Sequence, residues 1–380
     1  MEIKRILQSK RLILRPFRYS DAQAIYETWS QDSDVTRYVT WYEHNSIDDC
    51  MYYVSKVIEG YKKDDKRMEW LVCLKETGEP IGAICIFYNK QLKKWGFGNN
   101  YAKEYWHQGY ASEALDTVLE FLFVELGVDC VFGEHFEENP NSGKVMMHCG
   151  MSFVSQKTIT CKNVDRVSKY YEVFRFDWLL HKMQSLGSIE TKRLKLRGLQ
   201  SFDIEYLIAM FQDKDVNQYL CGTTVTERSD ILRKLEEIML RCVDDKNYMY
   251  YIVTRKKDNI PVGVISAVID ENGITGHSSY CYRKEYWGRG YATEALKAVM
   301  CNMFVNSAIW YFEASHAHPN VNSGKVMQRC GMKCLGYTQF GDIQTVKCMS
   351  GEFPLVKYEI TRPEWQKLYN KISIRGNNNG

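Results

Sequence analysis

The chain has 380 residues, 45% of them hydrophobic and 26% charged, with a formal net charge of +3. That length suggests two or three globular domains, and the nearly balanced charge excludes a surface built for nucleic acid or anionic membrane. No run is apolar enough to cross a bilayer, the first residues lead into a strand instead of a signal peptide, and thirteen cysteines without a CxxC pair indicate reduced thiols, no metal site and a cytoplasmic location.

In chain order, residues 11–15 alternate polar and apolar side chains and predict a first strand. Ser20 and Asp21 cap a helix reaching Trp29, and 47–61 is a second helix. Strands follow at 70–74 and 81–87 around a turn at 76–80, then at 95–101, where glycines beside Asn99 and Asn100 suggest a bulge. A long helix covers 107–126 and a fifth strand 128–136. A short helix over 142–149 ends at Gly150, and 153–161 with 169–178 closes the sheet as a hairpin.

The second half repeats this order. Strands are predicted at 194–199, 249–254, 261–269, 277–282 and 309–315, helices at 203–212, 229–243, 288–306 and 323–330, and a closing hairpin runs to Ile360. Pro363 opens a last short helix. The repeat is visible in the residues themselves. Gly109 and Gly290, Asn141-Ser-Gly-Lys-Val-Met146 and Asn322-Ser-Gly-Lys-Val-Met327, and Pro80 and Pro261 all stand 181 positions apart, and 25 of the 51 positions from Tyr101 to Met151 match their partners without a gap. The reading is a tandem duplication: one domain over 1–183, a short linker at 184–189, a second domain over 190–372 and a disordered tail at 373–380. The linker is too short and too poor in Gly and Pro for free tethering, so a monomer of pseudo-dimeric packing is expected.

Each half carries one organising stretch, Glu104-Tyr-Trp-His-Gln-Gly-Tyr-Ala-Ser-Glu113 and Glu285-Tyr-Trp-Gly-Arg-Gly-Tyr-Ala-Thr-Glu294. A glycine at a tight turn, followed by small residues opening a helix, leaves first-turn N–H groups free to face an anion. The candidate phosphate-binding residues are therefore His107, Gln108, Gly109, Tyr110, Ala111 and Ser112, and Gly288, Arg289, Gly290, Tyr291, Ala292 and Thr293. Arg289 adds a charge where its counterpart is the neutral Gln108, and His107 puts a side chain where the second copy has Gly288. Lys144 and Lys325 are either further phosphate ligands or solvated helix residues.

Together with Asn-x-x-Ser-Gly-Lys-Val-Met-x-x-Cys-Gly-Met and the opening [Ser/Thr]-x-Arg-Leu-x-Leu-Arg, this stretch resembles the GNAT superfamily of acyl-CoA N-acyltransferases, in its RimJ/RimL (ribosomal-protein-alanine acetyltransferase) branch. The resemblance covers nearly the whole chain, twice. It implies a mixed α/β fold, two tandem GNAT domains, each a twisted mixed sheet with its fourth and fifth strands splayed and helices around it. It implies acetyl-CoA as cosubstrate, without a metal, and a primary amine acceptor, either a small molecule or a protein N-terminus. It also places coenzyme A against Asn100, Tyr101, Cys281 and Tyr282 in the splay, and has Asn139 and Asn320 hold the pantetheine arm, although Asn at that position is also a plain helix cap. Many members carry a tyrosine acid seven residues after this Asn. Met146 and Met327 stand there, which leaves Ser142 and Ser323 as the substitutes. His135 and His316 are the histidines matched at the repeat offset and are candidate general bases, with sheet packing as the alternative and the unmatched Glu134 and Glu313 as rivals. Trp41, Tyr42, Tyr52 and Tyr53 fall where this family builds its acceptor pocket. A division of labour, with one catalytic and one degenerate domain, is the competing reading.

Overall fold

A computed structural model describes residues 5–63, 66–220, 226–339 and 342–376. The chain divides into two compact units, Met1–Trp178 and Leu179–Gly380. The first begins with β1 (Leu7–Gln8) and β2 (Leu12–Arg15), an antiparallel pair where one strand was expected. A tight turn at Tyr19–Asp21, helix α1 (Ala22–Ile25) and a widened turn at Tyr26–Ser30 form the first helical stretch. Then come α2 (Ser33–Thr36), α3 (Ile47–Lys63), β3 (Arg67–Leu74), β4 (Pro80–Asn89), β5 (Lys94–Tyr101), α4 (Tyr110–Glu120), β6 (Cys130–Phe136), α5 (Pro140–His148), β7 (Ser152–Cys161) and β8 (Val164–Phe174). Helix α6 (Arg175–Gln184) follows, so residues 175–178, expected as the end of a strand, are helical.

The second unit carries β9 (Ile189–Glu190), β10 (Leu194–Arg197), α7 (Asp203–Gln212), α8 (Lys214–Asn217), α9 (Arg228–Asp244), β11 (Tyr248–Arg255), β12 (Pro261–Ile269), β13 (Thr275–Tyr282), α10 (Tyr291–Asn306), β14 (Tyr311–Ala317) and α11 (Val321–Arg329). Its closing region is not the simple hairpin expected. Four short strands, β15 (Lys333–Gly336), β16 (Thr338–Gln339), β17 (Asp342–Ile343) and β18 (Thr345–Cys348), precede the long β19 (Gly351–Thr361). In the first unit β7 and β8 join through Lys162 and Asn163, both at positive φ, the geometry of a tight two-residue hairpin turn. Helix α12 (Arg362–Gly376) carries the chain through residues expected as tail, and the rest of that tail lies outside the described residues.

Strand order is the same in both sheets: β1-β2-β3-β4-β5-β6-β8-β7 and β9-β10-β11-β12-β13-β14-β19-β15, with β18 also on β19. Each sheet opens at one seam. Parallel pairing of β5 with β6 is confined to Trp95↔Val131 and Gly96↔Phe132, while β6 stays paired with β8 as far as Phe136↔Ser168. The β13–β14 pairing ends at His277↔Glu313. Beyond these points the strands part, as the family resemblance implied. The bulge expected in β5 is absent, since its register with β4 is unbroken from Lys94 to Tyr101. Its glycine serves close approach instead. A Cβ on Gly96 would stand 2.4 Å from the Phe132 ring.

The opening motif supplies the brace for each sheet. Arg15 grips Asp21 through two hydrogen bonds of 2.8 Å, and Arg197 grips Asp203 through bonds of 2.6 and 2.9 Å. The Asp carboxylates also accept a backbone N–H, from Arg18 and from Gln200, and so hold the entry to the first helical stretch. The second pair is buried, with the Asp203 side chain fully enclosed. Removing one partner from such a pair strands a buried charge at a cost of about 3–5 kcal/mol. Asp203→Ala is therefore expected to destabilise the second unit by about 3 kcal/mol or more in denaturant unfolding, and Asp21→Ala the first unit by less, because Arg15 is partly exposed.

Candidate active site

The two organising stretches form matched structures at the mouth of the splay. Gly109 and Gly290 cap their helices from the left-handed region, at φ 80° and 77°. Left-handed backbone costs an L-residue roughly 1–2 kcal/mol, which explains glycine here. The first helical bonds run from Glu113 N to Gly109 O and from Glu294 N to Gly290 O, both 3.1 Å. The N–H groups of Tyr110, Ala111 and Ser112, and of Tyr291, Ala292 and Thr293, precede these bonds and point out of the helix end. His107 is also left-handed, at φ 61°, as is Gly288 at φ 72°. A Cβ at 288 would meet nothing within 4 Å, and at the matched position His107 carries the strain of a left-handed backbone.

A side-chain buckle holds each cradle from behind. The Glu113 carboxylate accepts from Ser9 Oγ (2.6 Å), Arg11 N (2.7 Å) and Arg11 Nε (2.6 Å), while Arg11 Nη1 donates to Gln108 O (3.0 Å). The second copy repeats it: Glu294 accepts from Thr191 Oγ1 (2.6 Å), Arg193 N (2.9 Å) and Arg193 Nε (2.6 Å), and Arg193 donates to Arg289 O (3.0 Å). Each guanidinium lies over the tyrosine that follows the cap glycine, Tyr110 at 4.3 Å and Tyr291 at 4.7 Å. The other motif residues fasten the cradle to the sheet. Trp106 Nε1 donates to Tyr101 O (2.8 Å) and Trp287 Nε1 to Tyr282 O (2.7 Å), at the ends of β5 and β13. Cys149 Sγ contacts Ser112 O (3.4 Å) and Cys330 Sγ contacts Thr293 O (3.6 Å), joining α5 and α11 to the cradle helices.

The predicted wedge residues divide into groups. Tyr101 and Tyr282 are buried, and neither hydroxyl has a partner among the described residues. Asn100 and Cys281 occupy matched places on β5 and β13; the Asn100 amide nitrogen is enclosed without a partner among the described residues, and burial pushes the Cys281 thiol up to about 12. Asn139 and Asn320 cap α5 and α11, accepting from Ser142 N and Ser323 N at 3.4 Å, the long end of hydrogen bonding. The cap is therefore weak. Lys144 and Lys325 are exposed on the same helices, and Arg289 is exposed at its cradle.

His135 and His316 sit within β6 and β14, buried, each with Nδ1 2.8 Å from the carbonyl oxygen of the following residue, Phe136 O and Ala317 O. That contact makes Nδ1 the donor and leaves the lone pair on Nε2. A Cβ on Gly143 would lie 2.6 Å from His135 Nε2, and one on Gly324 would lie 2.7 Å from His316 Nε2. The glycine of each Asn-x-x-Ser-Gly-Lys motif thus lets its helix rest on the imidazole, whose other neighbour is Tyr171 or Tyr358. Burial holds the His316 imidazole below its ordinary value. The rival carboxylates are both engaged: Glu134 pairs with Lys157 (3.1 Å), and the buried Glu313 with Lys357 (2.8 Å). Of the aromatic residues, Tyr42 and Tyr52 are exposed and carry the chain's own cations, Lys162 at 5.0 Å and Lys56 at 5.2 Å. Trp41, His44 and Tyr53 form a ladder of rings, and Tyr53 Oη donates to Glu69 (3.3 Å).

The family model for the acetyltransferase (GNAT) domain matches residues 11–152 and again residues 193–333. The chain belongs to the GNAT acetyltransferase family. It is 29% identical to the uncharacterized N-acetyltransferase YoaA of Bacillus subtilis over 38% of this chain and 81% of that one. It is 28% identical to the uncharacterized N-acetyltransferase YnaD of the same organism, over 45% of this chain and 98% of that one. A solved structure of RimL, described as a ribosomal L7/L12 alpha-N-protein acetyltransferase in complex with coenzyme A, superposes with a TM-score of 0.40 at 17% identity, covering 46% of this chain and 98% of that one.

Three features of the two GNAT domains escape a reading of single motifs. The buckles join residues about a hundred positions apart, and their signal was the pairing of the opening Arg with the motif's last Glu in both copies. Glu69 has Tyr250 at the matched position, so the domains differ on that face of the sheet. Tyr280, with Asn99 as its match, reaches across the splay: its hydroxyl lies 2.8 Å from Ser323 Oγ and 3.1 Å from Ser323 O.

Two outcomes follow from this geometry. Alanine for a helix glycine ordinarily stabilises by roughly 0.5–1 kcal/mol, but Gly324→Ala would drive a methyl into His316 and Tyr358. It is expected to destabilise by about 1–3 kcal/mol in thermal or denaturant unfolding. Burial pushes the Glu113 carboxyl up, yet its hydrogen bonds from Ser9 and Arg11 together hold it below its ordinary value, and Glu294 behaves alike. A depressed folded-state value means that the buckle's contribution is complete above the unfolded carboxyl value of about 4.3 and disappears as pH falls through the folded one. Unfolding measured against pH should show a loss over that acidic window, and Glu113→Gln with Glu294→Gln should flatten it.

Proposed function

We propose that both GNAT domains take acetyl-CoA and transfer its acetyl group to a primary amine, a small amine or a protein N-terminus, by direct attack of the neutral amine on the thioester. The observation that carries this reading is the pair of left-handed-glycine cradles, each buckled in place beside a splayed seam. The first-turn amides from Tyr110 to Ser112 and from Tyr291 to Thr293 suit a pyrophosphate, Arg289 adds charge in the second domain, and Asn139 and Asn320 have amides weakly enough engaged to accept a pantetheine contact. A backbone N–H of the parted strands, within Asn99–Tyr101 or Tyr280–Tyr282, would face the developing oxyanion. A thiol titrates near about 8.5, so the leaving thiolate needs a hydrogen bond more than a strong acid, and Ser142 and Ser323 are the hydroxyls at that end of their helices. His135 and His316 would act as bases through Nε2. The protein is read as a cytoplasmic monomer, with no metal in its chemistry.

Calorimetric titration with acetyl-CoA tests the reading. One ligand bound per cradle is expected, falling by half in Gly109→Trp or Gly290→Trp, because a large side chain at a left-handed cap both strains the turn and blocks the amides. Binding of half the expected ligand in the unaltered chain would assign the work to one domain. No binding would overturn the reading.

A further inference from the structure

We propose that the second GNAT domain, and not the first, holds the departing coenzyme A thiolate with a chain of two hydroxyls, in which Tyr280 orients and polarises Ser323. This deepens the functional reading above and rests on it. Tyr280 lies beyond the last β13–β14 pair, within the parted segment of β13. Ser323 is in the first turn of α11, three residues after the capping Asn320. The phenol therefore bridges the two walls of the wedge.

Either hydroxyl can be the donor in the Tyr280–Ser323 Oγ contact, and the phenol can also donate to the Ser323 carbonyl; we assign its proton to Oγ on length. A phenol has one proton, and burial pushes that of Tyr280 well above its ordinary value, so it stays in place. The 2.8 Å contact to Ser323 Oγ has the ordinary length of an O–H···O bond, whereas the 3.1 Å contact to the Ser323 carbonyl is long. With the phenol donating to Oγ, the serine's own proton is left for a third group. Hydrogen bonds in such a chain strengthen one another.

The step balances as follows. The C–S bond of the tetrahedral adduct breaks and its electron pair stays on sulfur. The sulfur accepts a hydrogen bond from Ser323 Oγ–H, while the proton lost by the amine leaves through the base or water. Full transfer from serine to sulfur is uphill, because a hydroxyl is far less acidic than a thiol. Tyr280 is accordingly a positioning residue. It makes Ser323 a better donor and fixes where its proton points.

The first domain has the same backbone without this device. Asn99 faces Ile84 in the sheet as Tyr280 faces Ile265, so the two positions are equivalent in register as well as in sequence. Among the described residues no hydrogen bond joins Asn99 to Ser142. The two sites would then hold the same cosubstrate with different stabilisation of its sulfur.

The test uses the full chain carrying Gly109→Trp, so that only the second cradle loads, and coenzyme A itself as probe. The thiol of the bound coenzyme is titrated by the ultraviolet absorbance of its thiolate, and desulfo-coenzyme A binding is measured alongside. Tyr280→Phe is expected to raise the bound thiol's apparent pKa by about half a unit or more. Ser323→Ala should raise it at least as far, and the double variant no further than Ser323→Ala alone, with desulfo-coenzyme A affinity unchanged throughout. An unmoved pKa in Tyr280→Phe with coenzyme A still bound overturns the proposal. So does an equal loss of affinity for coenzyme A and its desulfo form, the mark of a merely structural contact. Absence of coenzyme A binding to the Gly109→Trp chain would instead defeat the functional reading for this domain, and the proposal with it.

Discussion

A helix end can present its free N–H groups to a ligand only if the turn before it is held still, and in both domains one carboxylate does that holding. Glu113 and Glu294 sit four residues into their helices and reach back to the opening strand, while the arginine they bind takes the carbonyl one residue before the cap glycine. The glycine supplies the left-handed turn, the buckle fixes its direction, and the tryptophan ties the segment before it to the end of the splayed strand. Fixing these groups beforehand moves an ordering cost from ligand binding to folding. The conspicuous side chains of the motif, its Tyr, Trp and Glu, thus serve mainly to aim backbone amides.

The splay is the second half of the same arrangement. A parallel seam abandoned after two or three pairs leaves strand edges that must be covered or used. Each sheet stays closed on the outer side of β6 and β14, through β8 and β19, so the opening is a slot rather than a frayed edge. The duplicated domains fill this slot differently. In the first, Phe97 packs over Gly133, where a Cβ would stand 2.5 Å from its ring. In the second, the corresponding strand brings in Tyr280 and a polar contact. Backbone geometry has been kept while the side chains lining it have diverged, and such divergence is how two copies come to differ in chemistry.

Much of this was legible in the residues. A constant offset of 181 marked the cradles, the long helices and the short Asn-capped helices together, because each depends on local signals such as glycine, small residues and caps. What was not legible depended on contacts between distant positions. Glycines in β5 looked like a bulge and proved to be room for Phe132, a demand made by a neighbouring strand. The closing region of the second domain kept the length of a hairpin but broke into short strands. Arg175 begins a helix at the point where strand alternation had been carried too far. The side chain of Tyr280 gives no signal in the identities of the repeat, because the informative position is one where the copies disagree.

The matched histidines answer to two demands at once. Identity at the repeat offset marks His135 and His316 as candidate bases, and each imidazole is also buried, donates through Nδ1 to a nearby carbonyl and lies under a helix glycine with no space for a methyl group between them. Packing is one constraint behind the match, since a larger residue at Gly143 or Gly324 and a larger ring at 135 or 316 would each push the helix off the strand. A catalytic role would ask more of the same nitrogen. Water or the amine would have to reach Nε2 past the helix contact, and His316 would have to work against the burial that disfavours its protonated form. Two copies of a residue in one chain therefore measure how tightly a position is constrained, and the nature of the constraint has to be read from what surrounds it.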